Sequence, residues 1–219
     1  MRILPFFFVL ALASCSNKQE TPNSAPPPPV ATTAGGRPVI VAFGDSLTAG
    51  LGVDAGSSYP DVLQEMLDAR GLSYRVVNEG LSGDTTSGGL ARLPAVLAHK
   101  PAVVILELGA NDGLRGIPID RTKANLSEML AALKSGGARV LLVGITLPRN
   151  YGMDYIGKFD RMFPDLAKAH GVPLLPFLLQ GVALNPKLMQ ADALHPNADG
   201  CRVAARNVTQ ALLPLLTAK

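Results

Sequence analysis

The sequence is short of several residue types, and each shortage excludes a class of protein. Only two of its 219 residues are cysteine, none is tryptophan, and aromatic residues make up 5% of the chain. Two cysteines cannot form a framework of disulfide bonds, so the fold must rest on a hydrophobic core. Charged residues contribute 17%, and lysine and arginine are scattered rather than clustered. Because phosphate binding needs clustered cations, this scatter argues against a nucleic-acid surface and leaves small molecules or lipids as partners.

Three motifs are also missing. The glycine-containing segment 44–52 lacks the lysine of a phosphate-binding loop, which argues against nucleotide binding. No group of His, Cys and Asp has metal-ligand spacing, so we expect neither a metal nor a cofactor. The Gly-x-Ser-x-Gly elbow of many serine hydrolases is absent too.

The start of the chain indicates export. Arg2 precedes an apolar run over residues 3–13, which is too short to span a bilayer and has the length of a signal-peptide core. The run ends in Leu-Ala-Ser-Cys15, which resembles the bacterial lipoprotein signal, where the cysteine carries lipid and becomes the mature N-terminus. We therefore expect a signal peptide over residues 1–14 and lipidation of Cys15. The alternative is a plain signal peptide that happens to contain a cysteine.

Residues 15–38 follow as a linker that includes four consecutive prolines and has no apolar periodicity. This composition is typical of an extended, semi-rigid spacer. By resemblance to enteric lipoproteins, Ser16 after the cysteine implies an anchor in the outer membrane, with the domain on its periplasmic side. A lipidated Cys15 leaves Cys201 without a disulfide partner, and the apolar helical pattern around Cys201 predicts a small core residue.

Residues 39–219 alternate between continuous apolar runs and segments with helical periodicity. The runs predict five strands, at 39–43, 74–78, 103–106, 140–143 and 172–177. The periodic segments predict five helices, at 59–70, 90–99, 122–134, 159–170 and 197–216. Continuous apolar strands separated by helices form parallel sheets that are covered on both faces. We therefore predict one α/β domain, a three-layer α/β/α (flavodoxin-like) fold with a central five-stranded parallel sheet.

Ligands of such sheets bind beyond the carboxyl ends of the strands, and four polar segments lie there. Their candidate residues are Ser46 after strand one, Gly83 after strand two, Asn111 after strand three and His195 before the last helix. A serine nucleophile needs an adjacent base, and an imidazole needs an acceptor at its other nitrogen. His195 and Asp192 can supply these, whereas His99 and His170 lie at predicted helix ends, where cations suit the helix dipole.

The same segments offer donors for an oxyanion, namely the N–H groups of Ser46 and Gly83 and the side-chain amide of Asn111. Each segment taken alone has a structural alternative. Ser46 could belong to a helix N-cap, Gly83 to a turn and Asn111 to an Asx turn, and Asp-x-x-His-Pro could be a helix-entry turn.

Together and in this order, the four segments resemble the GDSL, or SGNH, hydrolase family, whose name lists its Ser, Gly, Asn and His. Further stretches at 89–94, 107–116, 147–152 and 172–177 look like its periplasmic thioesterase/lysophospholipase (arylesterase) subgroup. The resemblance implies hydrolysis of aryl and acyl esters, thioesters and lysophospholipids, without a cofactor. It assigns a triad of Ser46, His195 and Asp192, and an oxyanion hole of Ser46, Gly83 and Asn111.

The resemblance also places the acyl chain against a mobile loop over residues 146–157, with Pro148 and Tyr151 as substrate-binding residues. An ordinary surface loop is the alternative for this segment. We expect a monomer. Two other functions stay open: a carbohydrate O-acetyl esterase, against which the low aromatic content argues, and a non-catalytic lipoprotein that only binds lipid.

Overall fold

The computed structural model describes residues 36–217, so the predicted signal peptide, Cys15 and most of the linker lie outside the described residues. Five strands form one sheet in which every pairing is parallel. They are Val39–Gly44 (β1), Arg75–Gly80 (β2), Val103–Glu107 (β3), Arg139–Val143 (β4) and Leu174–Leu175 (β5). Their spatial order is β2-β1-β3-β4-β5.

Seven α-helices and a short 3-10 helix at Arg149–Tyr151 complete the described part of the chain. The α-helices are Ser46–Ala49 (α1), Tyr59–Asp68 (α2), Thr86–Ala98 (α3), Ala110–Leu114 (α4), Ile119–Ser135 (α5), Met153–His170 (α6) and Ala198–Thr217 (α7). Helix α2 packs on α7, while α5 packs between α3 and α6. Crossovers between parallel strands are right-handed as a rule, and with this strand order that rule puts the two groups on opposite faces of the sheet. None of these helices is long and apolar enough to cross a membrane.

The burial of the central strands explains why continuous apolar runs in the sequence predict them. Every residue of β3 is buried, as are five of the six residues of β1, because helices cover both faces of the sheet. The edge strand β2 is only half-buried, and β5 is reduced to two residues. The prediction of an α/β/α fold around a five-stranded parallel sheet is confirmed. Cys201 is 1% exposed, as expected of a small core residue.

Two helices begin earlier than the sequence pattern predicts. Helix α3 begins at Thr86, four residues before the predicted start, because Gly88 and Gly89 let the helix pack closely: a Cβ at Gly89 would lie 2.5 Å from Leu108. Helix α6 begins at Met153, where Ile156 joins its buried face. The predicted loop over 146–157 is therefore wrong in its second half, since residues 153–157 are helical.

Candidate active site

Ser46 opens the short helix α1 directly beyond the end of β1. Asp45 caps this helix, because its Oδ1 accepts a 3.0 Å hydrogen bond from the Leu47 N–H. Gly44, the last residue of β1, does not have a positive φ, so its backbone conformation does not require glycine. The structure shows a different requirement: a Cβ at Gly44 would lie 2.0 Å from Thr48 Oγ1 and 2.7 Å from Glu107 Oε2. The glycine is needed for close packing beneath Ser46.

The structure brings Ser46, His195 and Asp192 into one hydrogen-bonded chain. Ser46 Oγ lies 2.8 Å from His195 Nε2, although 149 residues separate the two. His195 Nδ1 lies 2.6 Å from Asp192 Oδ2 on the other side of the ring. A hydroxyl, an imidazole and a carboxylate in this order form the arrangement that activates a serine.

Asp192 stays ionised for a clear reason. Its Oδ1 accepts hydrogen bonds from the backbone N–H groups of Leu194 and His195, at 2.9 and 3.0 Å. Burial by itself would raise the pKa of Asp192, but these two bonds and the imidazole outweigh it and lower the pKa to about 2. The carboxylate is therefore available to accept from His195 Nδ1–H at any pH near neutral.

Gln190, which sequence reasoning missed, brings His195 to Ser46. An antiparallel bridge between Met189 and Pro196 closes the turn that carries Asp192 and His195. Gln190 N–H donates to the His195 carbonyl oxygen at 2.8 Å, and its side-chain Nε2 donates to the carbonyl oxygen of Leu51 at 2.7 Å. Because Leu51 follows α1, this second bond joins the His195 turn to the segment that bears Ser46.

Gly83 and Asn111 lie at the ends of the neighbouring strands, as predicted. Gly83 has a φ of 80°, a backbone conformation that glycine adopts without strain, and its carbonyl oxygen accepts a 2.8 Å hydrogen bond from Arg115. Within residues 36–217, neither the Ser46 N–H nor the Gly83 N–H donates to another protein atom. Both donors are therefore free to bind a developing oxyanion.

The side-chain amide of Asn111 is oriented by Asp45. Asn111 Nδ2 donates to Asp45 Oδ2 at 3.2 Å, which fixes the amide with its nitrogen toward the base of the site. Asp45 is fully buried and lies beside Glu107, which is also fully buried and accepts a 2.8 Å hydrogen bond from Thr48 Oγ1. Burial raises the pKa of Asp45 to about 6, an effect that its hydrogen bonds offset only in part. Sequence reasoning missed Glu107, although a charged residue closing an apolar strand was a visible signal.

Arg92, also missed, fixes the strand ends relative to one another. Its guanidinium donates to Asp84 Oδ2 at 2.7 Å and to the carbonyl oxygens of Glu79 and Gly44, each at 2.8 Å. The same group stacks over the Phe43 ring at 4.5 Å. A single side chain therefore holds the end of β1, the end of β2 and the residue after Gly83.

The predicted substrate-binding residues lie beside the Asn111 helix. Pro148 precedes the 3-10 helix that contains Tyr151, and both are half-buried. The Tyr151 hydroxyl donates to the Leu114 carbonyl oxygen in α4 at 2.9 Å, so the hydroxyl is already engaged. The rings of Tyr151 and Pro148 remain free to contact a substrate.

The other two histidines lie at helix C-termini, as expected. His99 caps α3 and bonds to Glu79, while His170 ends α6 and bonds to Ser127. Across the described residues, no three His, Cys, Asp or Glu side chains are grouped so as to hold a metal ion.

The strand-end geometry defines the site of a serine hydrolase, and comparison with known proteins agrees. Residues 42–203 match the model of the GDSL-like lipase/acylhydrolase family. The chain belongs to this family. The match includes every residue of the hydrogen-bonded site described above.

Two curated relatives and one solved structure are close in sequence. The chain is 44% identical to Esterase TesA of Pseudomonas aeruginosa over 178 residues, which cover 81% of this chain and 89% of that protein. It is 41% identical to Thioesterase 1/protease 1/lysophospholipase L1 of Escherichia coli (strain K12), over 81% of this chain and 84% of that protein. The crystal structure of the psychrotrophic esterase EstA from Pseudoalteromonas sp., inhibited by monoethylphosphonate, is 32% identical with a TM-score of 0.78, covering 81% and 98% of the two chains.

Proposed function

We propose that this protein is a serine esterase that hydrolyses aryl and acyl esters, with activity on acyl thioesters and lysophospholipids. One observation carries the proposal: the continuous hydrogen-bonded chain from Ser46 Oγ through the His195 imidazole to Asp192, at 2.8 and 2.6 Å. The names of its relatives support the ester and thioester chemistry, since they are an esterase and a thioesterase/lysophospholipase.

The reaction would proceed by two acyl transfers. Ser46 Oγ attacks the carbonyl carbon while its proton passes to His195 Nε2. The resulting oxyanion accepts hydrogen bonds from the Ser46 N–H, the Gly83 N–H and the Asn111 amide. The imidazolium, paired with Asp192, then gives its proton to the leaving alcohol or thiol as the C–O or C–S bond breaks. Water attacks the acyl-serine by the same route and releases the carboxylic acid.

Apolar side chains around the site favour an apolar acyl or aryl group. Among the described residues, Leu51, Leu81 and Leu194 are large hydrophobic side chains that are between 41% and 54% exposed. Leu194 adjoins His195, Leu81 lies two residues before Gly83, and Leu51 follows α1. Each of three site segments therefore has an exposed apolar side chain against which an acyl chain can pack.

Substitution of Ser46 by alanine tests the proposal. Ser46→Ala should abolish hydrolysis of p-nitrophenyl butyrate and labelling by a fluorophosphonate probe, because both need the hydroxyl as nucleophile. Circular dichroism should show an unchanged fold. Full retention of activity in the variant would contradict the assignment.

A substrate series then separates the activities. The series runs from p-nitrophenyl acetate to palmitate, with an acyl-CoA and lysophosphatidylcholine added. Faster turnover of medium chains than of acetate would support an apolar acyl site. Release of acetate from acetylated xylan, with poor turnover of the longer esters, would instead support a carbohydrate O-acetyl esterase.

We also propose that the enzyme works as a monomer on the periplasmic face of the outer membrane, anchored by lipid on Cys15. The support is the sequence Leu-Ala-Ser-Cys15 with the proline-rich linker behind it. Metabolic labelling with radioactive palmitate should mark the wild-type protein, and Cys15→Ser should remove the label and release the protein into the soluble fraction. Cys201→Ser is the matched control, because this buried cysteine is remote from the lipidation signal. A wild-type protein without label would contradict the anchor.

A further inference from the structure

Glu107 is a fully buried carboxyl group that the proposed mechanism does not use. It closes β3, four residues before Asn111, and its Oε2 accepts a 2.8 Å hydrogen bond from Thr48 Oγ1. Its other oxygen, Oε1, is buried and receives no hydrogen bond from the described residues. A buried acceptor without a donor is costly, whereas a buried carboxylic acid whose hydroxyl donates to a neighbour is not.

The neighbour that can accept this proton is Asp45. Asp45 follows Gly44, which is the residue paired with Glu107 between β1 and β3, and the side chains of Asp45 and Glu107 are both 0% exposed. Two buried carboxyl groups in contact cannot both ionise at neutral pH. Burial and the charge of Asp45 raise the pKa of Glu107 well above its ordinary value. Asp45 receives N–H donors from Leu47 and Asn111, which favour its charged form, so the proton resides on Glu107.

The groups that face this pair from other elements leave the proton in place. Tyr59 on α2 is a buried phenol whose pKa is raised by burial first and then by Glu107, so it is neutral. Arg92 on α3 is occupied by Asp84 and by two carbonyl oxygens. His195 faces Asp45 from the loop before α7, and its electrostatic interaction with Asp45 lowers the pKa of Asp45, which favours the anionic form of that carboxyl group.

We propose that Glu107 is a positioning residue: it carries one proton, donates it in a hydrogen bond to Asp45, and so holds the Asn111 amide with an N–H in the oxyanion hole. The positioning role rests on the proposed esterase function. The protonation of Glu107 does not depend on that function, because it follows from the burial of the two neighbouring carboxyl groups. Asp45 then has three partners, namely Glu107, Asn111 and the Leu47 N–H, and cannot rotate without breaking one of them.

Infrared difference spectroscopy tests the protonation directly. The C=O stretching band of a neutral carboxylic acid should appear in the wild-type enzyme at neutral pH and be missing from Glu107→Gln. Glutamine has the same shape and keeps both a donor for Asp45 and an acceptor for Thr48. Absence of the band from the wild type would overturn the proposal whatever the enzyme hydrolyses.

The pH dependence of stability gives a second test that needs no activity. Because the pKa of Glu107 is raised above 4.5 in the folded state, the folded protein binds more protons than the unfolded chain above that pH. Stability of the wild type therefore falls as pH rises from 4.5 toward the folded pKa, and Glu107→Gln lacks this loss. The urea midpoint of the variant should therefore move upward relative to that of the wild type as the pH rises above 4.5. A difference that is constant with pH would contradict a protonated Glu107.

Steady-state kinetics test the positioning role. Glu107→Leu removes the hydrogen-bond donor and keeps a similar side-chain volume. The value of kcat should fall about tenfold or more while KM changes little, because the Asn111 amide in the oxyanion hole is no longer held in place. Glu107→Gln should recover most of that loss. Asn111→Ala sets the limit, with a fall in kcat of about 10²–10³-fold. A Gln variant as impaired as the Leu variant, or a change confined to KM, would overturn the role. If the wild type hydrolyses no ester at all, the proposed esterase function is wrong. The infrared and unfolding results would still test whether Glu107 is protonated.

Discussion

The Arg92 guanidinium donates a 2.8 Å hydrogen bond to the carbonyl oxygen of Gly44, two residues before Ser46, although the two residues are 48 positions apart. The same side chain holds Asp84, the residue after Gly83. The nucleophile and one oxyanion donor are therefore fixed to each other through a cation that touches neither of them. This arrangement makes the activity sensitive to a substitution outside the site.

We expect Arg92→Lys to lower kcat about 10- to 100-fold, because an ammonium cannot reproduce three hydrogen bonds in a planar fork. Unfolding should cost about 1–3 kcal/mol less than in the wild type, since buried carbonyl acceptors lose their donor. Assays with p-nitrophenyl butyrate and urea unfolding measure the two effects. Arg70→Lys is the matched control, because Arg70 is exposed in the turn after α2 and, among the described residues, its side chain donates only to the carbonyl oxygen of Met66. Equal activity in the two variants would show that the strand ends do not need Arg92.

Asp192→Asn should reduce kcat/KM by about 10²–10⁴-fold, less than His195→Ala does. The asparagine oxygen can still accept the backbone N–H groups of Leu194 and His195, so the turn should persist. Its amide nitrogen then faces His195 Nδ1 and forces the proton onto Nε2, where it blocks acceptance of the Ser46 proton. Kinetics of both variants over a pH series measure this, and equal losses would assign Asp192 a larger part than orienting the imidazole.

The pH dependence of this pair has a definite sign. The lowered pKa of Asp192 means that its contribution to stability is present above about pH 4 and is lost as pH falls toward 2. Asp192→Asn should therefore be less stable than wild type at neutral pH, and the difference should shrink on acidification. Thermal unfolding between about pH 2 and pH 7 tests it, and a difference that grows toward low pH would contradict the assigned charge.

Gly44→Ala should destabilise the fold by about 1–3 kcal/mol and lower kcat, since the new methyl group overlaps Thr48 and Glu107. Gly157→Ala provides a matched control in α6, because its added Cβ meets only Arg161 Nη1, at 3.9 Å. There the helix propensity of alanine should stabilise the fold by about 0.5–1 kcal/mol. Urea unfolding of both variants separates crowding from a general effect of removing glycine, and a neutral Gly44→Ala would refute the packing argument.

Tyr151→Ala should raise KM for p-nitrophenyl octanoate about fivefold and leave the acetate ester nearly unchanged, because the ring supplies apolar area rather than chemistry. Tyr151→Phe is the control that keeps the ring and removes only the hydrogen bond to Leu114. Comparison of the two esters distinguishes an acyl-binding ring from a purely structural tyrosine. A parallel rise for acetate and octanoate would exclude the acyl-binding role.

The sheet and the main site residues were predictable because each depends on a local pattern. Continuous apolar runs mark β1 and β3, which are buried on both faces, and Ser46 and Asn111 come two and four residues after their ends. Gly83 comes three residues after the end of the half-buried edge strand β2. His195 was predictable by elimination among three histidines and by the Asp192 three residues before it. None of these inferences needs information about which distant residues touch.

The residues that were missed depend on contacts between distant parts of the chain. Arg92 lies on a helix face like any solvated arginine until β1 and β2 present their carbonyl oxygens to it. Gln190 is one polar residue in a polar loop, and its bond to Leu51 spans 139 residues. The early start of α6 was hidden because glycine at 157 indicates a loop, whereas one face of that turn is buried against the core through Ile156.

The order of the site along the chain has a consequence for biogenesis. The nucleophile and the oxyanion donors lie within residues 46–111, but their base arrives with the turn at Gln190 and His195, after all five strands. A chain that is still being synthesised therefore holds a serine that no imidazole can deprotonate. Hydrolytic activity switches on only when the last segment has docked, so ester turnover can be used as a readout of completed folding.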